Sequence, residues 1–248
     1  MTPGLNSHFV WDLPLRVFHW LLVVSLVASY IAVGLGEVGL GEVGLGSAGL
    51  YWHLQIGVFI FALIIFRLCW GILGSETAQF KSFIPSPERI KQVYFYKKNT
   101  TGHSPHGAIA AFILILLVLV QTLTGLFAID DDIDIAGPLN EMVSDSTANL
   151  LSSLHSSNFD VLIMMIGLHI LAVIFYRLIM KTNLITPMIT GYAWLPKAEK
   201  NKAITSEKKS DFFSANLVVS LLISSAVYWG VESGQLLSLL VYLQNYFY

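Results

Sequence analysis

Four histidines have the type and spacing to do chemistry together: His19, His53, His155 and His169. His155 and His169 share one apolar run, Leu154 to Arg177, and are fourteen residues apart. At 1.5 Å of rise per residue this is roughly 21 Å and close to four turns, so both imidazoles leave one helix face at two depths. An imidazole in hydrocarbon is costly enough that it usually has a task, and paired intramembrane histidines commonly hold a metal or a haem.

The elements that must position these side chains are membrane spans. Of the 248 residues, 55% are hydrophobic and 12% charged, and the mean hydropathy is +0.67. That balance excludes a soluble domain. Apolar runs at Val17–Gly34, His53–Leu73, Ile109–Ile129 and Phe159–Met180 each approach the ~20 residues that cross ~30 Å of hydrocarbon. A fifth, Phe213–Val231, is richer in Ser. The last stretch, Gln235–Tyr248, is expected to extend it or to lie as an amphipathic segment in the interface.

All 14 Lys and Arg fall in three places: Arg16, Arg67 through Lys98, and Arg177 through Lys209. The alternate connections, Leu35–Trp52, Asp130–Asp160 and everything after Val231, contain none. The positive-inside rule then sets the N-terminus in the cytoplasm and, with five spans, the C-terminus outside. The net charge is only -2, and no nucleic-acid partner is expected. The start of the chain is not read as a cleavable signal peptide, because a Trp-Asp and Arg lead runs into a full-length span.

Orientation sorts the histidines by depth. The first span runs outward, so His19 is inner; the second runs inward, so His53 is outer. The fourth also runs inward, which makes His155 outer and His169 inner or central. Two pairs result, His19 with His169 and His53 with His155, with helix tilt absorbing the more central depth of His169. Two imidazoles facing each other across a bundle are what axial ligation of a haem iron needs. Two ligands per iron leave no open position, which favours electron transfer. A tetrahedral zinc site would want four ligands together, whereas depth separates these into twos.

Other features are read more plainly. Arg67, fourteen residues after His53 on the same face, is either a partner for an acidic cofactor group such as a haem propionate or a snorkelling arginine at a helix end. His103 and His106, in GHSPHG, are expected to be solvated rather than ligands. The third span has no histidine; its Gln121, Thr122, Thr124 and Gly125 are read as helix contacts. The lone Cys69 excludes an intrachain disulfide and is read as a small apolar residue. The repeat LGEVGLGEVGLGSAGL over Leu35–Leu50 is expected to be a flexible outer loop, since each Gly costs a helix about 1 kcal/mol relative to Ala. A short amphipathic helix is expected over Glu88–Tyr96. Seven carboxylates between Asp130 and Asp160 could steer a cationic soluble partner or simply confer solubility.

Several of these residues sit in recognisable motifs: VWDLPLRVFHW into the first span, a His-led second span ending RLCWG, GHSPHG into a third span ending TGLF, and GLHILAVIFYR followed by PMITG. Together, over about residues 8 to 195, they resemble the prokaryotic cytochrome b561 and nickel-iron hydrogenase b-type cytochrome family. The fifth span and the Gly-rich stretch lie outside that core pattern, and GHSPHG stands where Gly-His-Asn-Pro is more usual. The resemblance implies an all-α integral membrane four-helix haem-binding bundle, here with a fifth C-terminal transmembrane helix. It also implies two haem b groups ligated from spans one, two and four, and quinone-linked electron transfer in the cytoplasmic membrane. The matched ligand positions are His19, His53, His155 and His169, with Arg16, Arg67 and Arg177 as candidates for propionate or quinone contacts.

The expected organisation is a core domain over residues 1–195, a basic cytoplasmic linker over 196–211, and the fifth span with its amphipathic extension over 212–248. The leading function is a dihaem b cytochrome moving electrons between quinone and a periplasmic c-type cytochrome or oxidoreductase, with its irons about 20 Å apart vertically. Whether it is an enzyme in its own right is left open at this point. Expected partners are membrane lipids, quinone and the periplasmic protein, with a homodimer as a candidate assembly. Two alternatives stand beside it: a stand-alone superoxide:quinone oxidoreductase, and a membrane anchor whose histidines bind a metal ion or nothing.

Overall fold

The computed structural model describes residues 5–39, 45–83, 105–130, 135–196 and 213–247. The expected amphipathic helix over 88–96, most of the linker over 196–211, and His103 lie outside the described residues. Five helices are long and apolar enough to cross a membrane. They are a first span Leu13–Gly39, a second Leu45–Leu73, a third Pro105–Phe127, a fourth Asp145–Leu178 and a fifth Phe213–Glu232. A sixth long helix, Gln235–Phe247, follows the fifth across a turn in which Gly234 has φ +69°. The C-terminal stretch is therefore a helix in its own right rather than a continuation of the fifth span.

Two expectations are corrected by the helix bounds. The first two spans run into the Gly-rich stretch, leaving only 40–44 undescribed between them. Once a helix is nucleated by an apolar span, adding a residue needs no new nucleus, and a glycine penalty of about 1 kcal/mol is not enough to stop it. His53 consequently sits about two turns inside its helix instead of at the helix start. The fourth span also begins early, at Asp145, where Ser144 accepts from Thr147 and Ala148 through its carbonyl and an acidic first turn suits the helix dipole.

The chain packs as two compact units, each assembled from separate pieces of sequence. One comprises Met1–His19, Arg67–Leu114 and Met164–Ser220. Here strand β1, Leu5–Phe9, pairs antiparallel with β4, Tyr192–Pro196, with Phe9 opposite Tyr192. This clasp is not visible in hydropathy. Val10 N–H donates to Gly191 O at 2.8 Å, and Gly191 has φ +89°. A Cβ there would meet Trp11 O at 2.9 Å, so the position requires glycine for both conformation and space.

Asp12 organises the start of the first span. Its Oδ1 accepts from Leu15 N–H at 2.8 Å, capping the helix, with Pro14 in the first turn where its missing donor costs nothing. Its Oδ2 accepts from Trp70 Nε1 at 3.0 Å and from the hydroxyl of Ser75. Asp12 is 1% exposed and Trp70 fully buried, and a carboxylate so placed is tolerable because each oxygen is hydrogen-bonded. Asn216 Nδ2 donates to Leu73 O at 2.7 Å, fastening the start of the fifth span to the end of the second.

The other unit comprises Trp20–Phe66, Ile115–Ile163 and Leu221–Tyr248. Its apolar core gathers Val58, Phe61, Leu126, Leu139 and Val231, with Leu236 and Leu237 of the last helix packed against it. Ser224 donates to Ala62 O at 2.7 Å, tying the fifth span to the second. After the third span, β2 (Ile129–Asp130) and β3 (Ile135–Ala136) form a small antiparallel hairpin. Ser152 stitches it down, accepting from Ile129 N–H at 2.9 Å and donating to Ile129 O at 2.7 Å.

Candidate functional site

In the second of these units the second, third and fourth spans bring together His53, His155 and a polar shell. The rings of His53 and His155 have centroids 6.1 Å apart and planes at 90°. His155 Nδ1 lies 2.9 Å from the backbone oxygen of Gln121. A carbonyl can only accept, so Nδ1 carries the proton and Nε2 keeps its lone pair. His53 Nδ1 lies 2.9 Å from Ser29 Oγ and 3.3 Å from Ser29 O, and the carbonyl again makes Nδ1 the donor. In both rings Nδ1 is thus engaged by oxygen, and Nε2 is the nitrogen left to hold a ligand.

The shell is built by small and polar residues of the spans. Gly125 lets the third span approach the imidazole, since a Cβ there would meet His155 Cε1 at 2.8 Å. Ser29 is buried in the first span. Asn158, one turn after His155, donates to Leu117 O at 3.0 Å and to Gln121 Oε1 at 2.6 Å. None of Ser29, Gln121, Thr124 and Asn158 was singled out from the sequence as touching a histidine. The spacing of Gln121, Thr124 and Gly125 on one face of the third span, and of His155 and Asn158 on the fourth, is the signal that was there to be used.

The first unit contains both His19 and His169. His19 is half-buried and His169 exposed. Gly167, two residues before His169, has nothing within 4 Å of where a Cβ would stand. The three candidate arginines differ sharply. Arg67 is 3% exposed, stacks over the Phe80 ring at 4.5 Å and donates through Nη2 to Ala78 O at 3.3 Å. Its Nη1 is buried with no hydrogen-bond partner among the described residues. Arg16 gives Nη1 to Ile189 O at 2.5 Å and Nε to Asp12 O at 3.3 Å, so it clamps the segment before β4 to the first span. Arg177 is exposed, as is His106.

A family model, prokaryotic cytochrome b561, matches residues 10–191. The chain belongs to the prokaryotic cytochrome b561 family. No curated protein and no solved structure matches it. As a prokaryotic cytochrome b561 it is a multi-pass membrane cytochrome of the b type, a haem b-binding electron-transfer protein.

The residues present fit such a group. With an iron–nitrogen bond of about 2 Å and about 1.2 Å from nitrogen to ring centre, two axial imidazoles on one iron have centres about 6.4 Å apart. The 6.1 Å between His53 and His155 is close to that spacing. The proton fixed on each Nδ1 is the second-shell arrangement expected of ligating imidazoles. The orphaned, buried Nη1 of Arg67 suits an acidic group that would complete its hydrogen bonding.

Proposed function

We propose that this cytochrome b561 holds two haem b groups, one between His53 and His155 and one between His19 and His169. It carries electrons between quinone and a periplasmic c-type cytochrome or oxidoreductase. The single observation that supports this most is the 6.1 Å ring separation of His53 and His155, with both Nδ1 protons already committed to oxygen acceptors. Held by His53 with His155 and by His19 with His169, haem b would supply a one-electron iron couple suited to electron transfer.

The chain's own residues do the rest. Ser29 and the Gln121 carbonyl orient the outer imidazoles. Arg67 would neutralise an acidic group of the inner cofactor, and its burial makes that contact strong and its absence costly. Arg16, with its guanidinium on two backbone carbonyls, acts through the segment it clamps, while exposed Arg177 is available to a quinone headgroup. The placement proposed is the bacterial inner membrane, with the N-terminus cytoplasmic and the C-terminus periplasmic, which the confinement of all 14 Lys and Arg to alternate connections supports. In this arrangement residues 1–195 form the haem-binding core, 196–211 a cytoplasmic linker and 212–248 an appended fifth span with its amphipathic helix.

The deciding experiment is pyridine haemochrome quantification on purified protein, with about two haems b per chain expected. Protein that folds in the membrane yet carries no haem would overturn the assignment.

A further inference from the structure

Beyond His106 in its first turn the third span carries no histidine, yet its polar residues approach His155 of the fourth. We infer that the third span sets the electronic state of the outer haem by holding the Nδ1 proton of His155 between two acceptors, the Gln121 carbonyl and the Thr124 hydroxyl. This rests on His155 being a haem ligand, as proposed above.

The hydrogen-bond directions follow from the geometry. Thr124 Oγ1 lies 2.8 Å from Val120 O and 3.1 Å from Gln121 O, so its single proton points back along its own helix. Its lone pairs then face His155 Nδ1 at 3.3 Å. The Gln121 carbonyl, at 2.9 Å, is the nearer acceptor. One imidazole N–H is thus shared by two oxygens, and neither can give it a proton in exchange. Such a donor–acceptor pair makes the ring a stronger base toward a metal on Nε2 and stabilises the ferric over the ferrous state.

The register that brings these groups together is fixed independently. Asn158 uses both amide protons on the third span, at Leu117 O and Gln121 Oε1, one turn from His155. Gly125 leaves out a Cβ that would stand 2.8 Å from the imidazole. Nothing in this arrangement touches reacting atoms, so Thr124, Asn158 and Gly125 are positioning residues.

The neighbouring Thr122 supplies a matched control. It is also buried and also donates to carbonyls of its own helix, Val118 O at 3.0 Å and Leu119 O at 3.1 Å. Among the described residues none of its hydrogen bonds goes to a histidine. The effect on helix geometry of removing either hydroxyl is therefore similar, and only one removal changes the surroundings of His155.

The test is a potentiometric titration of the full-length, haem-loaded protein in membranes, comparing Thr124→Val, Thr124→Ser and Thr122→Val. In Thr124→Val the outer haem becomes easier to reduce, the ferric/ferrous equilibrium shifting roughly five-fold, or about 40 mV. Thr124→Ser and Thr122→Val leave it at the wild-type potential. An unchanged potential in Thr124→Val, or an equal shift in Thr122→Val, overturns the inference while leaving haem binding intact. If Thr124→Val loses the outer haem, Gly125→Ala decides: its Cβ would stand 2.8 Å from the His155 ring. The ferric low-spin resonance of the outer haem is then expected to move and that of the inner haem to stay, and an unmoved outer resonance overturns the inference. A wild-type protein without any haem would instead overturn the assignment on which the inference rests.

Discussion

The imidazoles of His53 and His155 lie with centroids 6.1 Å apart and planes perpendicular. They come from two different helices and are 102 positions apart in the chain, yet both offer Nε2 because both Nδ1 atoms are spent on oxygen acceptors.

Replacing either ring should remove one and the same haem. In His53→Ala and in His155→Ala, pyridine haemochrome is expected to fall from about two haems per chain to about one. The component lost from a redox titration should be identical in the two variants. If each variant lost a different component, the pairing would be wrong.

Arg67 offers a second test, at the other pair. Its guanidinium is buried, with Nη1 lacking a hydrogen bond among the described residues, and Arg67→Met removes the positive charge proposed to neutralise an acidic group of the inner cofactor. Loss of that charge should favour the ferric form, lowering the inner-haem potential by about 60 mV, the equivalent of a ten-fold change. The outer haem should titrate as before. An unaltered inner haem would assign Arg67 a purely structural role.

Asp12→Ala should weaken the fold rather than the electron transfer directly. It uncaps the first span and removes the shared acceptor of the Trp70 indole and the Ser75 hydroxyl. The combined cost is on the order of 3 kcal/mol. The measurement is the apparent melting temperature of the haem-loaded protein in detergent, and a melting temperature equal to wild type would show that Asp12 anchors nothing.

Two glycines with positive φ separate conformational cost from crowding. Gly234 has φ +69° and nothing within 4 Å of a Cβ, whereas Gly191 has φ +89° and the Trp11 carbonyl at 2.9 Å. Gly234→Ala should cost about 1 kcal/mol, and Gly191→Ala distinctly more, because the β1–β4 clasp must also shift. Thermal unfolding of the two variants side by side reads the difference.

Much of this architecture is legible in the sequence, and the exceptions share a cause. Spans are readable because hydropathy over ~20 residues reports a one-dimensional requirement. The facing of His53 and His155 is readable because alternating orientation turns position along the chain into depth. Contacts made sideways between helices leave no such trace. Gln121, Thr122 and Thr124 look alike in the sequence, and only the packing shows that the carbonyl of the first and the hydroxyl of the last meet an imidazole, while the middle one does not. The early start of the fourth span at Asp145, the helical Gly-rich flanks and the β1–β4 pair were missed for a related reason. Each is decided by the element it continues or lies against, not by the propensity of its own residues.

The hydrogen bond from Val10 to Gly191 joins the first few residues of the stretch shared with the family to its last, residues 10–191. That stretch is thus cinched at its own two ends, like a loop of cord knotted where it closes. New termini could be cut into one of its outer turns, and a short bridge across Val10 and Gly191 would preserve the connectivity. The fifth span could then be carried on a separate chain, docked through Asn216 and Ser224, without stretching the module it serves.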